Sequence, residues 1–237
     1  MDQLSFGDFA ASASAADDRF VDGNPDLGPD RATRLSTAID WRSRSGSAIN
    51  IELFHEWRDE VLEQVILPSG IQGLSNAGSA RLWGINTALS IPLESIIPGG
   101  LFGIEAEIRE SVFEDPIISR NRPLSSVDDA DILVEFRQDL VSRQFSWGIS
   151  YRAPLEGPYY FANEISLNRD SESWGAFAET TRFRGVKINF ELSGIGKRYF
   201  SRERALYSPD RSSEYLGRQL ISQTQGMFAT LTLSSNL

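Results

Sequence analysis

Apolar and polar residues alternate with a period of two along most of this chain, which constrains its fold more than any other feature. In an extended strand successive side chains point to opposite faces, so such alternation specifies strands with one apolar and one polar face. Leu35, Thr37, Ile39 and Trp41 share one face, and Ser36, Ala38, Asp40 and Arg42 the other. After a tight turn at Ser43 to Gly46, Ile49, Ile51 and Leu53 oppose Ala48, Asn50 and Glu52. Trp83, Ile85, Thr87, Leu89 and Ile91 then oppose Gly84, Asn86, Ala88 and Ser90, and Phe102, Ile104, Ala106 and Ile108 oppose Gly103, Glu105, Glu107 and Arg109. The clearest hairpin sets Ile132, Val134, Phe136 and Leu140 against Glu135, Arg137 and Asp139, then Phe145, Trp147, Ile149 and Tyr151 against Ser146, Gly148, Ser150 and Arg152.

Further runs at 159–168, 174–183, 186–193, 215–223 and 227–235 bring the expected total to 11 strands, with weak alternation at 174–183 and 215–223. The first 30 residues, ending in the turn-forming Gly23-Asn24-Pro25-Asp26-Leu27-Gly28-Pro29-Asp30, are expected to be a loop or a truncated upstream segment, and 31–237 to be the sheet. Sorted by parity, connections near 43–46, 93–99, 141–144 and 169–172 fall on one side, and those near 59–79, 114–130 and 153–158 on the other. Short turns on one side and long loops on the other match an up-and-down membrane barrel. The segment 194–213 strains that rule, since it is long yet falls on the short-turn side unless it hides a strand. Residues 56–66 fit helical spacing as well as strand, and strand is preferred.

Alternation alone leaves open a soluble β-sandwich whose apolar faces pack on each other. Two features favour a transmembrane β-barrel. Glu105, Glu107, Arg109, Glu135, Arg137, Asp139 and Arg152 occupy consecutive positions on the polar faces, a ladder of mixed charge suited to a wet lumen. Trp41, Trp57, Trp83, Tyr151, Tyr159 and Trp174 sit near strand ends, as interfacial aromatic girdles do. The uncharged run from Met227 to Leu237 resembles the closing strand of an outer-membrane barrel, with Leu237 where an aromatic residue is usual. No stretch approaches the roughly 18 apolar residues of a membrane helix, and the N-terminal residues show no leader-like pattern. A formal charge of −10 without a basic run argues against nucleic acid as a partner. Cysteine is absent, which removes disulfides and thiolate chemistry.

Several segments resemble TonB-dependent receptors, outer-membrane barrels for active uptake. Gly23 to Asp30 is similar to the family's GNPxLxPE element, with Asp30 in place of Glu. Asn76-Ala77-Gly78 followed by Gly84-Ile85-Asn86 resembles an N-x-G…G-x-E pattern, with Asn86 in place of Glu. The segments Phe136 to Leu140, Phe145 to Gly148 and Arg202 to Tyr207 resemble stretches near the family's C-terminus. The resemblance implies half of a 22-stranded barrel, open in isolation, in the outer membrane of a Gram-negative bacterium. It further implies that a plug, a TonB box and the other barrel half lie outside this sequence, and that TonB is reached only through that plug. The intact receptor would take up a scarce small-molecule nutrient of siderophore, cobalamin or glycan type. A passive channel or structural barrel, and a soluble secreted binding domain, remain alternatives.

The residues suggest no enzyme. His55 is the sole histidine, so a two-histidine metal site cannot form within one chain, and its place between Phe54 and Trp57 suits a wall residue. Carboxylate pairs such as Glu105 with Glu107 fit solvated wall charge better than acid–base catalysis, and no cofactor is expected. Gly99-Gly100 and Gly194-Ile195-Gly196-Lys197 lack the remainder of a phosphate loop and are expected to be turns. The lumen-facing candidates are therefore Glu105, Glu107, Arg109, Glu135, Arg137, Asp139 and Arg152.

Overall fold

The computed structural model describes residues 6–10, 12–14, 19–183, 185–196 and 198–235. Lys197 of the expected turn, and Asn236 and Leu237 of the expected closing strand, lie outside the described residues. A helical turn, α1 (Phe6–Phe9), precedes the antiparallel pair β1 (Ser12–Ser14) and β2 (Arg19–Val21) within the segment expected to be loop. The first long hairpin is β3 (Arg31–Arg42) with β4 (Ala48–Asp59), and β5 (Leu62–Ile66) with β6 (Gln72–Asn76) form a separate small ribbon. Then follow β7 (Ala80–Pro92), β8 (Gly100–Asp115), β9 (Arg120–Arg122), β10 (Ala130–Leu140), β11 (Phe145–Arg152) and β12 (Leu155–Tyr160). The last are β13 (Glu164–Asp170), β14 (Ser173–Phe183), β15 (Val186–Ile195), β16 (Arg198–Ser208), β17 (Glu214–Gln225) and β18 (Phe228–Ser235).

The chain is all-β and its sheets are antiparallel. The main sheet runs β18-β15-β14-β11-β10-β8-β7-β4-β3, with β9 added on β8, and a second runs β12-β13-β16-β17. These two sheets share four chain paths. β12 continues β11 past Ala153 and Pro154, β14 continues β13 past Ser171 and Glu172, β16 continues β15, and β18 continues β17 past Gly226 and Met227. Nine long strand paths result, each hydrogen-bonded to its sequence neighbour, rather than the expected 11 strands. The expected strands at 215–223 and 227–235 are two halves of one path, and the expected strand at 159–168 spans the tight tip at Phe161 to Asn163. The expected turn at 169–172 is a break inside one path, and the fourth short turn lies instead between Phe183 and Val186.

With that correction the parity of the connections is regular. One end has short turns between β3 and β4, β7 and β8, β10 and β11, and β14 and β15. The far end carries the β5–β6 ribbon, the connection from Asp115 to Ala130, and the tips at 161–163 and 209–213. The segment 194–213 holds β16, so it is a strand and no longer an exception. Residues 56–66 are extended, as preferred, within β4 and β5.

The strands are staggered. One row of cross-strand partners runs Trp41, Ile49, Leu89, Ile104, Val134, Tyr151, Trp174 and Ile195. Trp41 lies next to the last residue of β3, at the short-turn end, whereas Trp174 is nine positions before the last residue of β14. A slip of about one residue per strand, at ~3.3 Å per residue and ~4.8 Å between strands, tilts the strands about 35–40° from the perpendicular to the line of short turns.

The buried apolar cluster lies at the far end, where Val61, Ala80, Phe113 and Leu124 pack with Ala77 and Val127. The apolar face of the main sheet is uncovered: Leu35 and Ile39 are 66% exposed, and Leu231 and Leu233 are 63% exposed. The total surface is 15050 Å², against about 10,600 Å² for a compact monomer of this mass. No helix among the described residues is long and apolar enough to cross a membrane.

Candidate functional site

The polar face of the main sheet follows from the same period-two register. Glu105 lies between Ala88 on β7 and Leu133 on β10, and Glu107 between Asn86 and Asp131. Glu135 and Arg137 stand opposite Ser150 and Gly148, and Asp139 opposite Ser146. Arg152 reaches across to Asp131 at 3.0 Å, Arg137 pairs with Asp139 at 2.9 Å, and Arg109 with Glu107 at 3.4 Å. Short wall residues leave hollows between these side chains. One of about 290 Å³ is lined by Asn50, Asn86, Glu105, Glu107, Asp131 and Arg152. A second of about 380 Å³ is lined by Glu135, Arg137, Ser150, Phe177, Glu191 and Ser193.

Of the seven candidates, then, Glu105, Glu107 and Arg152 share one hollow, Glu135 and Arg137 share another, and Arg109 and Asp139 border neither. Sequence reasoning placed Asn50, Glu52 and Asn86 on this face without counting them among the lumen-facing candidates, and it did not place Asp131. Their parity was the available signal, because Glu52 accepts from Asn86 at 2.8 Å and from Arg34 at 3.2 Å on the same face. His55 lies on the apolar face, its ring 4.3 Å from Trp57 and 6.2 Å from Trp83. Tyr151 and Trp174 form a second aromatic pair on that face, 4.8 Å apart.

A buried ion network at the far end was not foreseen. Asp115 accepts from Arg122 Nε and from the backbone N–H of Ile117 at 2.8 Å, and lies 2.6 Å from Arg211 Nη1. Arg122 also donates to Glu63 at 3.0 Å, and Glu63 accepts the backbone N–H and hydroxyl of Ser125 at 2.9 and 2.7 Å. The Arg122 guanidinium lies 4.1 Å over the Tyr160 ring, and Arg211 Nε donates to the Phe161 carbonyl at 2.6 Å. All four ions are at most 7% exposed. Burial pushes the Asp115 carboxyl up, but hydrogen bonds from Arg211, Arg122 and Ile117 outweigh it and hold the pKa below the usual value. Burial raises the Tyr160 hydroxyl, which stays neutral. Beside this network, Glu164 accepts from Arg204 Nε at 2.8 Å and Arg202 Nη2 at 3.4 Å, so Arg202 and Arg204 serve the second sheet.

Two segments remote in sequence are clamped together. Asn76 Nδ2 donates to the carbonyls of Gly28 and Glu60, both at 2.9 Å, while its Oδ1 accepts the Gly28 N–H at 2.9 Å. Asn24 Nδ2 donates to the Leu74 carbonyl at 3.1 Å, and Leu27 is buried. The Gly23 to Asp30 element and Asn76-Ala77-Gly78 thus form one structural unit.

Among the described residues no group of three or more His, Cys, Asp or Glu side chains is arranged to hold a metal ion. The arrangement offers a mixed-charge wall and, at one end, loops joined by buried ion pairs. No protein family, curated protein or solved structure matches the chain.

Proposed function

We propose that this chain is a wall segment of an outer-membrane β-barrel of the TonB-dependent receptor kind, serving energy-coupled uptake of a scarce nutrient. The observation that carries the proposal is the division of one staggered antiparallel sheet into an uncovered apolar face and a charged one. In water an apolar face spanning nine strands would be a large exposed patch. In a bilayer it faces hydrocarbon, while Glu105, Glu107, Glu135, Arg137 and Arg152 face a wet lumen. The tilt of about 35–40° matches that of barrel strands. Short turns at one end, with long, tightly cross-linked loops at the other, fit periplasmic and extracellular sides. The clamp between Asn76 and the Gly28 backbone supports the receptor kinship, because it joins two of the elements that carry the resemblance. The nutrient class rests on that resemblance alone.

A cysteine-free chain allows a direct test. Single cysteines replace Val134, Glu135, Phe136 and Arg137 along β10 in protein made in a Gram-negative host, and a fluorophore on each is exposed to brominated lipids. The expected outcome is quenching at Val134 and Phe136, with Glu135 and Arg137 accessible to water. A chain that remains soluble without detergent, with all four positions equally unquenched, would overturn the proposal.

A further inference from the structure

The direction of the two outermost strands limits what can complete this sheet. β3 begins at Arg31, opposite Asp59 at the far end, and finishes at the short turn after Arg42. β18 finishes at Ser235, opposite Val186, which follows another short turn. An up-and-down meander of nine paths therefore has both outer strands running the same way, from far end to short-turn end.

Among the described residues, neither of these strands is paired on its outer side. All twelve residues of β3 and all eight of β18 are exposed. β18 carries no charge and no proline, the devices by which proteins blunt a free edge. On β17, Tyr215, Leu216, Leu220 and Ile221 are exposed on both faces. A free edge of this kind presents an unsatisfied row of backbone N–H and C=O groups, which hydrocarbon cannot satisfy.

We infer that these edges are docking sites for an odd-numbered set of amphipathic antiparallel strands of a different sequence, and that a second copy of this chain is not the partner. The inference rests on the barrel reading above. Seating β18 of one copy against β3 of another makes a parallel seam, at odds with the antiparallel pairing throughout the sheet. Seating β3 against β3 restores antiparallel pairing but turns the second copy over, carrying its Glu63–Arg122–Asp115–Arg211 network to the short-turn side. Only an odd number of added strands joins both edges antiparallel in one orientation. Next to β18 the partner strand presents apolar residues beside Leu231 and Leu233, and small or hydroxyl residues beside Thr230 and Thr232.

The unmodified chain in detergent micelles is followed by amide hydrogen exchange across a concentration series, alongside oxidation of a Ser36→Cys, Thr232→Cys double variant. Both substituted positions are exposed on the polar faces of the edge strands. The expected result is protection of β8 and β10, loop-like exchange at the outward-pointing amides of β3 and β18 at every concentration, and no disulfide between copies. Protection of those outward amides in a stoichiometric dimer, or an efficient disulfide between copies, would overturn the inference. The barrel reading fails separately, through lipid quenching on β10, whatever the edges do.

Discussion

At the scale of single residues, Asp115 is the hinge of the far-end loops. Its carboxylate balances Arg122 and Arg211 with the help of Glu63, two acids against two bases in one buried cluster. Removing one member leaves a buried charge without compensation, so Asp115→Asn should loosen these loops by about 3–5 kcal/mol. The pH dependence has a definite sign. A carboxyl with a folded pKa below its unfolded value of about 3.9 contributes fully above that value, and the contribution is lost as pH falls through the depressed folded value. The Tyr160 hydroxyl, raised by burial, keeps its proton over that range. Cleavage of the 116–129 segment by an acid protease should therefore stay slow down to about pH 4 in the native chain and accelerate only below it. In Asp115→Asn it should be fast throughout. None of this was legible in the sequence, because Glu63, Asp115, Arg122 and Arg211 come from four separate segments and only the tertiary fold unites them. The polar-face residues were legible, because parity within one strand fixes their side.

At the scale of strands, the break in alternation at 174–183 has a local cause. Phe54 and Phe177 occupy polar-face positions, which is why 174–183 alternates poorly. Each ring lies over a glycine of the adjacent strand. Phe54 stands opposite Gly84, where an added Cβ would come within 2.8 Å of the ring, and Phe177 stands opposite Gly148. Each ring in turn carries an arginine, Arg34 at 3.9 Å from Phe54 and Arg137 at 5.4 Å from Phe177. Gly148→Val would force Phe177 off its seat, at a cost of about 1–3 kcal/mol, read as a lower melting temperature in detergent. Gly103→Ala, where a Cβ meets nothing closer than 3.7 Å, should change little. The miscount of strands has a related origin. Pro154, Ser171 and Gly226 look like turn residues, but here they bend long paths where one sheet gives way to the other. The real tip at Phe161 to Asn163 holds neither glycine nor proline.

At the scale of the whole molecule, the question is which solvent the apolar face meets, and a single charge placed on it separates the answers. Ile149 sits within β11, 44% exposed, between Phe136 and Ala176 on neighbouring strands. In a sheet surrounded by water, Ile149→Arg changes an exposed position and should shift stability by no more than about 0.5 kcal/mol. In a bilayer the same guanidinium must reach the interface or drag water inward, at about 2–4 kcal/mol near the midplane. Ser150, the next residue, points to the opposite face and supplies the control: Ser150→Arg enters a hollow already holding Glu135 and Glu191 and should cost far less in either solvent. Denaturant unfolding in lipid vesicles measures the difference between the two variants. A gap above about 2 kcal/mol, with Ile149→Arg the weaker, is expected from a lipid-facing wall. Equal stabilities would place both faces in water, and the sheet would then need a protein partner over its apolar side.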